Sequence, residues 1–258
     1  MSLALFAVSL IVVLDIFTHA YDRRFYSEEI SPAEVYDLPE ELALIESLNV
    51  AAGGQSFRIS DEMNFFEQNK WEYYGVENVW GNGGIKIAEY NDLFERLDRL
   101  HWKIKDEQMY DLLNVRYVIT DRDMDLKHFE KLDENIYLNK EVLPRVYFEG
   151  GGSVTILKKE PNYLKLAVSY DGQPANRLML SEIAYTGWLA SIDGVAFDYQ
   201  REGVLRYLDF YALGFKEGAY VVEFSHRPLS VYLGALISGI SVLLLLVTGV
   251  FHFKKKND

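Results

Sequence analysis

The chain has 258 residues, a formal net charge of −13 and an aromatic share of 14%, and it contains no cysteine. A domain this acidic repels nucleic acid and anionic headgroups at long range, which argues against a role on DNA or RNA. Without cysteine there is neither a disulfide framework nor a thiolate metal site, and nothing in the composition calls for a cofactor.

Leu3 to Phe17 is strongly apolar but carries Asp15 and is short for a bilayer crossing. It reads as the outer half of a membrane helix, so residues 1–17 are expected to be a partial transmembrane segment. The competing reading is a cleaved signal peptide, although a basic leading segment is missing and Thr18-His19-Ala20 makes a poor cleavage site.

Residues 26–143 read as a mixed α/β extracytoplasmic domain. Asp37 followed by Pro39 and Glu40 marks a helix start, Leu38, Leu42, Ile45 and Leu48 recur at helical spacing, and Gly53-Gly54 ends the run. A strand is predicted at Phe57 to Ser60. A second helix is predicted over Asn91 to His101, with Leu93, Leu97 and Leu100 on one face, and a third over Asp106 to Asn114. Val115 to Thr120 is a short, nearly continuous apolar strand of the kind found in a sheet covered on both faces.

Residues 144–228 change period to the alternation of an antiparallel β-sandwich. Leu164, Leu166, Val168 and Tyr170 share one strand face, and Leu178 with Leu180 begin another. Val204, Leu208 and Phe210 (with Arg206 among them), then Tyr220, Val222 and Phe224, continue the pattern. Asp193-Gly194 signals a hairpin. Gly150-Gly151-Gly152 precedes a strand rather than a helix, so it reads as a flexible join between the halves and not as a phosphate cradle. The fold class expected overall is α+β.

From Leu229 to Phe253 every residue is apolar, small or hydroxylated except His252, long enough at about 1.5 Å per residue to cross roughly 30 Å of hydrocarbon. Residues 254–258 follow as a basic tail. It contributes three Lys and one Asp, a net +2, leaving −15 for everything before it. Short basic flanks stay cytoplasmic, which puts the preceding domain outside. Ser230, Gly234 and Ser238 recur every four residues, a small-residue face suited to packing on another membrane helix, with a lone helix as the alternative.

Three constellations invite chemistry. Asp121, Asp123 and Asp125 alternate after a buried strand, where carboxylates can hold a divalent cation, but Arg122 and Lys127 dilute the field and a calcium loop would need a glycine that is missing. A solvated acidic turn is the plainer reading. Trp71, Tyr73, Tyr74, Trp80, Asn82 and Tyr90 crowd a glycine-containing stretch, so Trp71, Trp80 and Asn82 are candidate glycan contacts, with core packing as the alternative. The five histidines show no spacing that brings two onto one metal.

Three segments, Leu112-Leu113-Asn114-Val115-Arg116-Tyr117-Val118-Ile119, Pro144-Arg145-Val146-Tyr147-Phe148, and Leu180-Ser181-Glu182 through Tyr185-Thr186-Gly187-Trp188 to Asp193-Gly194, resemble in order and spacing the C-terminal part of YfhO-type polytopic membrane proteins. Gly218 to Phe224, Arg227-Pro228 and Gly234 to Ser238 extend the resemblance over most of the chain. The resemblance implies a GT-C-like glycosyltransferase that draws sugar from a polyprenyl-phosphate donor for a cell-envelope polymer, with its catalytic acid in an early loop lying outside these residues. No catalytic residue is carried over, and Trp188, Asp193 and Gly194 match positions that look structural. Where relatives have Pro-Gly-Trp, this chain has Thr186-Gly187-Trp188. The partners expected are the lipid bilayer, the other membrane helices of a longer parent and cell-envelope glycan, with no nucleic acid. The alternative function is a non-enzymatic, membrane-anchored module that binds glycan or protein.

Overall fold

The computed structural model describes residues 39–52, 56–66, 70–80, 88–91, 93–96, 102–174, 176–203 and 205–257. The expected partial helix at 1–17, the Gly53-Gly54 stop, Asn82 and Val204 lie outside them. The chain divides into two compact units, residues 1–55 with 73–75, and residues 56–72 with 76–258. In the first, α1 (Pro39–Ala52) starts on a proline, whose missing N–H costs nothing at a helix's first position, and buries Ile45, Leu48 and Ala52.

The second unit is α+β and consists mostly of strands. Its first sheet is mixed: β1 (Arg58–Asp61) runs parallel to β2 (Glu77–Asn78) and to β5 (Val115–Ile119), and β5 is antiparallel to β7 (Ile136–Asn139), itself paired with β6 (Phe129–Asp133). Val115, Tyr117, Val118 and Ile119 are all fully buried, as the continuous apolar run predicts. The short helix α2 (Lys70–Tyr73) lies between β1 and β2 in the chain, and a second, α3 (Ala88–Asn91), comes after β2. The third expected helix is α4 (Gln108–Leu112), and Asn114, in the left-handed region at φ 58°, turns the chain out of it into β5.

The helix expected over Asn91 to His101 does not continue through residues 93–96, and Leu97, Leu100 and His101 lie outside the described residues. Instead β3 (Phe94–Arg96) pairs antiparallel with β4 (Trp102–Ile104), Phe94 opposite Ile104. The leucine spacing suggested a helix, but the aromatic Phe94 is what the fold buries, with its ring 4.1 Å from Trp80 and 4.7 Å from Tyr90. Tertiary packing of this kind overrides a short local period.

The remaining strands form two antiparallel sheets. One has the order β13 (Val195–Phe197), β12 (Trp188–Ile192), β16 (Gly218–His226), β10 (Tyr163–Tyr170), β9 (Gly152–Glu160). The other has the order β14 (Gln200–Glu202), β15 (Leu205–Asp209), β11 (Arg177–Ile183), β8 (Val146–Phe148). Alternate residues of both sheets meet in one core, including Leu164, Leu166, Val168 and Tyr170 from β10, Leu178 and Leu180 from β11, and Val222 and Phe224 from β16. The expected period-2 faces are therefore the buried ones.

The glycine run does not separate two units, since the strands on either side of it belong to one. Gly152 sits at φ 113°, and a Cβ there would lie 2.4 Å from the Ser169 carbonyl oxygen. Gly150 N–H donates to Asn176 Oδ1 at 2.9 Å, so the run is an exposed, hydrogen-bonded corner between two sheets of the same unit.

A single 29-residue helix, α5 (Leu229–Asn257), ends the chain. Its Leu229–Thr248 stretch, with mean hydropathy 2.3, is long and apolar enough to cross a membrane. Its side chains from Leu229 to Thr248 are exposed, and a Cβ at Gly234 would have open space around it.

The β12–β13 hairpin turns on Asp193 (φ 48°) and Gly194 (φ 80°), both left-handed, with Asp193 Oδ1 accepting from Val221 N–H at 2.8 Å. Replacing Gly194 by Val meets no neighbour, so its whole cost is conformational, about 1–2 kcal/mol. Urea unfolding of the chain in detergent should register that loss, and Gly194→Asn should recover most of it. An unchanged midpoint for Gly194→Val would contradict the turn assignment.

Candidate functional site

A cavity of about 810 Å³ opens where the mixed sheet meets the two antiparallel sheets. Its walls carry Arg58, Glu77, Val79, Tyr90, Arg145, Lys159, Ser181, Glu182, Tyr185, Trp188 and Arg206, from strands in all three sheets and the segments joining them.

Arg58, at the start of β1, is the link between layers. Its Nη1 donates to the Leu113 carbonyl at 3.0 Å and to the Ser181 carbonyl at 2.7 Å, its Nε reaches Glu77 at 3.3 Å and its Nη2 reaches Glu182 at 3.2 Å. Ser181 Oγ in turn donates to the Leu112 carbonyl at 2.6 Å. Arg145, just before β8 and 7% exposed, bridges Glu77 and Glu182 with its two terminal nitrogens, and Lys159 closes on Glu77 from β9. Two carboxylates therefore hold three cations in a ring.

Burial alone would raise the Glu77 carboxyl, but Arg145, Lys159 and Arg58 outweigh it and hold its pKa at about 2. The same contest, won by Arg58, Arg145 and Arg206, keeps Glu182 below the usual carboxylate range. Arg206, on β15 and 1% exposed, lies 4.2 Å over the Trp188 ring, 5.7 Å from Tyr199 and 5.8 Å from Phe224. Burial, with Arg145 and Arg58 nearby, pushes its pKa down to about 10, still charged at neutral pH. Tyr185 and Trp188 pack on His226, at 5.2 and 5.3 Å between ring centroids.

The residues favoured from sequence fare differently. Trp71 is 1% exposed, stacked 4.2 Å from Phe66, and its indole N–H donates to Asp61 at 2.8 Å, so burial leaves no ring face for a sugar. Trp80 is half-buried against Phe94, and its indole N–H donates to Ser60 Oγ at 2.9 Å. Of that aromatic group it is Tyr90 that reaches the cavity. Asp121, Asp123 and Asp125 all face solvent, while the residues between them turn inward: Arg122 to Glu62 at 3.1 Å, and Met124 into the core. The carboxylates do not converge, and no group of three potential ligands able to hold a metal ion occurs among the described residues.

Tyr90 belongs to the aromatic group and Leu113, Arg145, Leu180, Ser181, Glu182, Tyr185 and Trp188 to the segments of resemblance, but none of these carries a binding role in the sequence reading. The pattern itself marks Arg206, a charge on the otherwise apolar Val204, Leu208, Phe210 face. No protein-family model, curated protein or solved structure matches the chain.

Because the folded Glu77 pKa lies below its ordinary 4.5, its stabilisation is complete above about pH 4.5 and is lost as pH falls toward about 2. With 38% of the side chain exposed, solvent screening limits that contribution to about 1 kcal/mol. Glu77→Gln should flatten the stability profile over that window in urea titrations at stepped pH; an identical acid limb would refute the assignment. Arg145→Ala leaves Glu182 short of a buried partner and should cost about 3 kcal/mol by the same measurement.

Proposed function

We propose that this chain is the C-terminal extracytoplasmic part and last membrane span of a membrane glycosyltransferase using a polyprenyl-phosphate-linked sugar, and that its cavity holds the acceptor glycan of the cell envelope. Catalysis, in this reading, belongs to residues outside this sequence. The observation that carries the proposal is a coincidence of walls. The segments resembling YfhO-type proteins supply Leu113, Arg145, Leu180, Ser181, Glu182, Tyr185 and Trp188, and all of them line one cavity. Its volume suits a few sugar units, and its charged hydrogen-bonding groups among aromatic walls suit hydroxyl-rich ligands.

The two antiparallel sheets are then a β-sandwich standing on α5, whose flank Lys254-Lys255-Lys256 belongs in the cytoplasm. Ser230, Gly234 and Ser238 offer the small-residue face for the parent's other helices.

The absence of cysteine makes placement easy to test. Asp198→Cys, at an exposed site, should react with a membrane-impermeant maleimide in intact cells, and Lys256→Cys only after lysis. The reverse pattern would end the proposed orientation. For the ligand, the purified chain should retain cell-envelope glycopolymer, with Tyr185→Ala reducing binding about tenfold while Asp121→Ala leaves it unchanged. Equal retention by both variants would remove the cavity from the function.

A further inference from the structure

Arg206 differs from the arginines beside it. Arg58 and Arg145 meet carboxylates edge-on, whereas the aromatic rings of Trp188, Tyr199 and Phe224 surround the Arg206 guanidinium. Rings attract a cation but accept little from donors lying in the guanidinium plane. Its Nε and Nη1 are buried with no hydrogen-bond partner, an expensive state for a group that stays charged. The nearest acid, Glu182, already accepts from both Arg145 and Arg58 through Oε1. Of the charged residues in the wall, four are cations (Arg58, Arg145, Lys159, Arg206) and four are carboxylates (Glu72, Glu77, Glu160, Glu182), and Glu77 and Glu182 are taken by Arg58, Arg145 and Lys159. Of the remaining acids in the wall, Glu160 is exposed and pairs with Lys158 at 2.7 Å, and Glu72 is exposed.

We propose that the Arg206 end of the cavity is a phosphate-binding site, in which a phosphate pairs with the Arg206 guanidinium, whose neighbouring carboxylate Glu182 is already taken by Arg58 and Arg145. A guanidinium fork matches phosphate geometry. The net charge of −13 opposes anions at long range, so the site selects a single compact group rather than a polyanion. Its position admits two sources. Gly187, next to Trp188, accepts from Arg227 N–H at 2.6 Å, two residues before α5 begins, so a lipid headgroup at a membrane surface is within reach, as is a soluble phosphate. The inference rests on reading the cavity as a ligand site, but not on the ligand being a glycan.

The test uses the full chain in phosphatidylcholine nanodiscs, titrated calorimetrically with inorganic phosphate, and in parallel in nanodiscs containing phosphatidylglycerol, with retained lipid read by native mass spectrometry. Saturable phosphate binding, weakened about tenfold or more by Arg206→Gln and partly restored by Arg206→Lys, supports a soluble source. Arg206-dependent retention of phosphatidylglycerol with no response to inorganic phosphate supports a headgroup. A shift of the Arg206 Nε–H resonance of the unaltered chain on addition of either probe serves the same purpose if the variants fail to fold. No Arg206-dependent binding in either arm, with that resonance unmoved, overturns the proposal. Phosphate binding without glycopolymer binding counts against the glycan reading alone, and the converse against the phosphate site alone.

Discussion

The fold hangs on the ion-paired ring of Arg58, Glu77, Arg145, Glu182 and Lys159. Arg58 and Glu77 belong to the mixed sheet, Glu182 and Lys159 to the antiparallel sheets, and Arg145 to the segment leading into β8. An apolar seam would join these layers in many registers, because dispersion and hydrophobic contact have little direction. A ring of charged forks does not: each guanidinium must find its carboxylate within about 3 Å, or a buried charge stays unpaired. Burying such a ring adds little net stability, because desolvation consumes most of the attraction. What it contributes is a fixed relation between the sheets, reinforced by the Arg58 bonds to the Leu113 and Ser181 carbonyls. The cavity exists because that relation is fixed with polar groups in its wall.

The same geometry explains why the chemistry concentrates on one side of the fold. The second polar cluster, Glu62 with Tyr110, Arg122 and Glu107, is closed: Arg122 reaches both acids, and the Tyr110 hydroxyl donates to Glu62. His128 and Asn139 likewise satisfy Asp111, each at 2.8 Å. These networks brace β5 and α4 and leave little capacity for a ligand. At the cavity Glu77 and Glu182 are taken by Arg58, Arg145 and Lys159, and Arg206 is left with aromatic neighbours and buried, unpartnered donors.

Much of this architecture was legible in the sequence. Period-2 faces located β10, β11, β15 and β16, because one buried face per strand writes itself as alternation. Asp193-Gly194 announced its hairpin, since few residue pairs accept two left-handed conformations in a row. The segment 91–101 misled, because Leu93, Leu97 and Leu100 mimic a helical stripe while the core is built on Phe94 against Trp80 and Tyr90. The hairpin of β6 and β7 was missed. β6 is charged and exposed along most of its length, so it shows no apolar alternation. The site was nearly invisible for a different reason. Its members stand at positions 58, 77, 145, 159, 182 and 206, and no local spacing links residues that only long-range strand pairing brings together. Arg206 alone carried a trace, as a charge at an inward-facing strand position.

The passage from β16 into α5 sets the mechanical character of the molecule. β16 is hydrogen-bonded on both sides, to β10 and to β12, and only Arg227 and Pro228 separate it from a 29-residue helix. Pro228 has a fixed φ and no donor, and the Arg227 N–H is tied to Gly187, so the junction has few free torsions. Strand and helix are therefore joined with little slack. Rotation of the helix about its own axis then becomes a swing of the sheet, and with it of the wall formed by Tyr185 and Trp188.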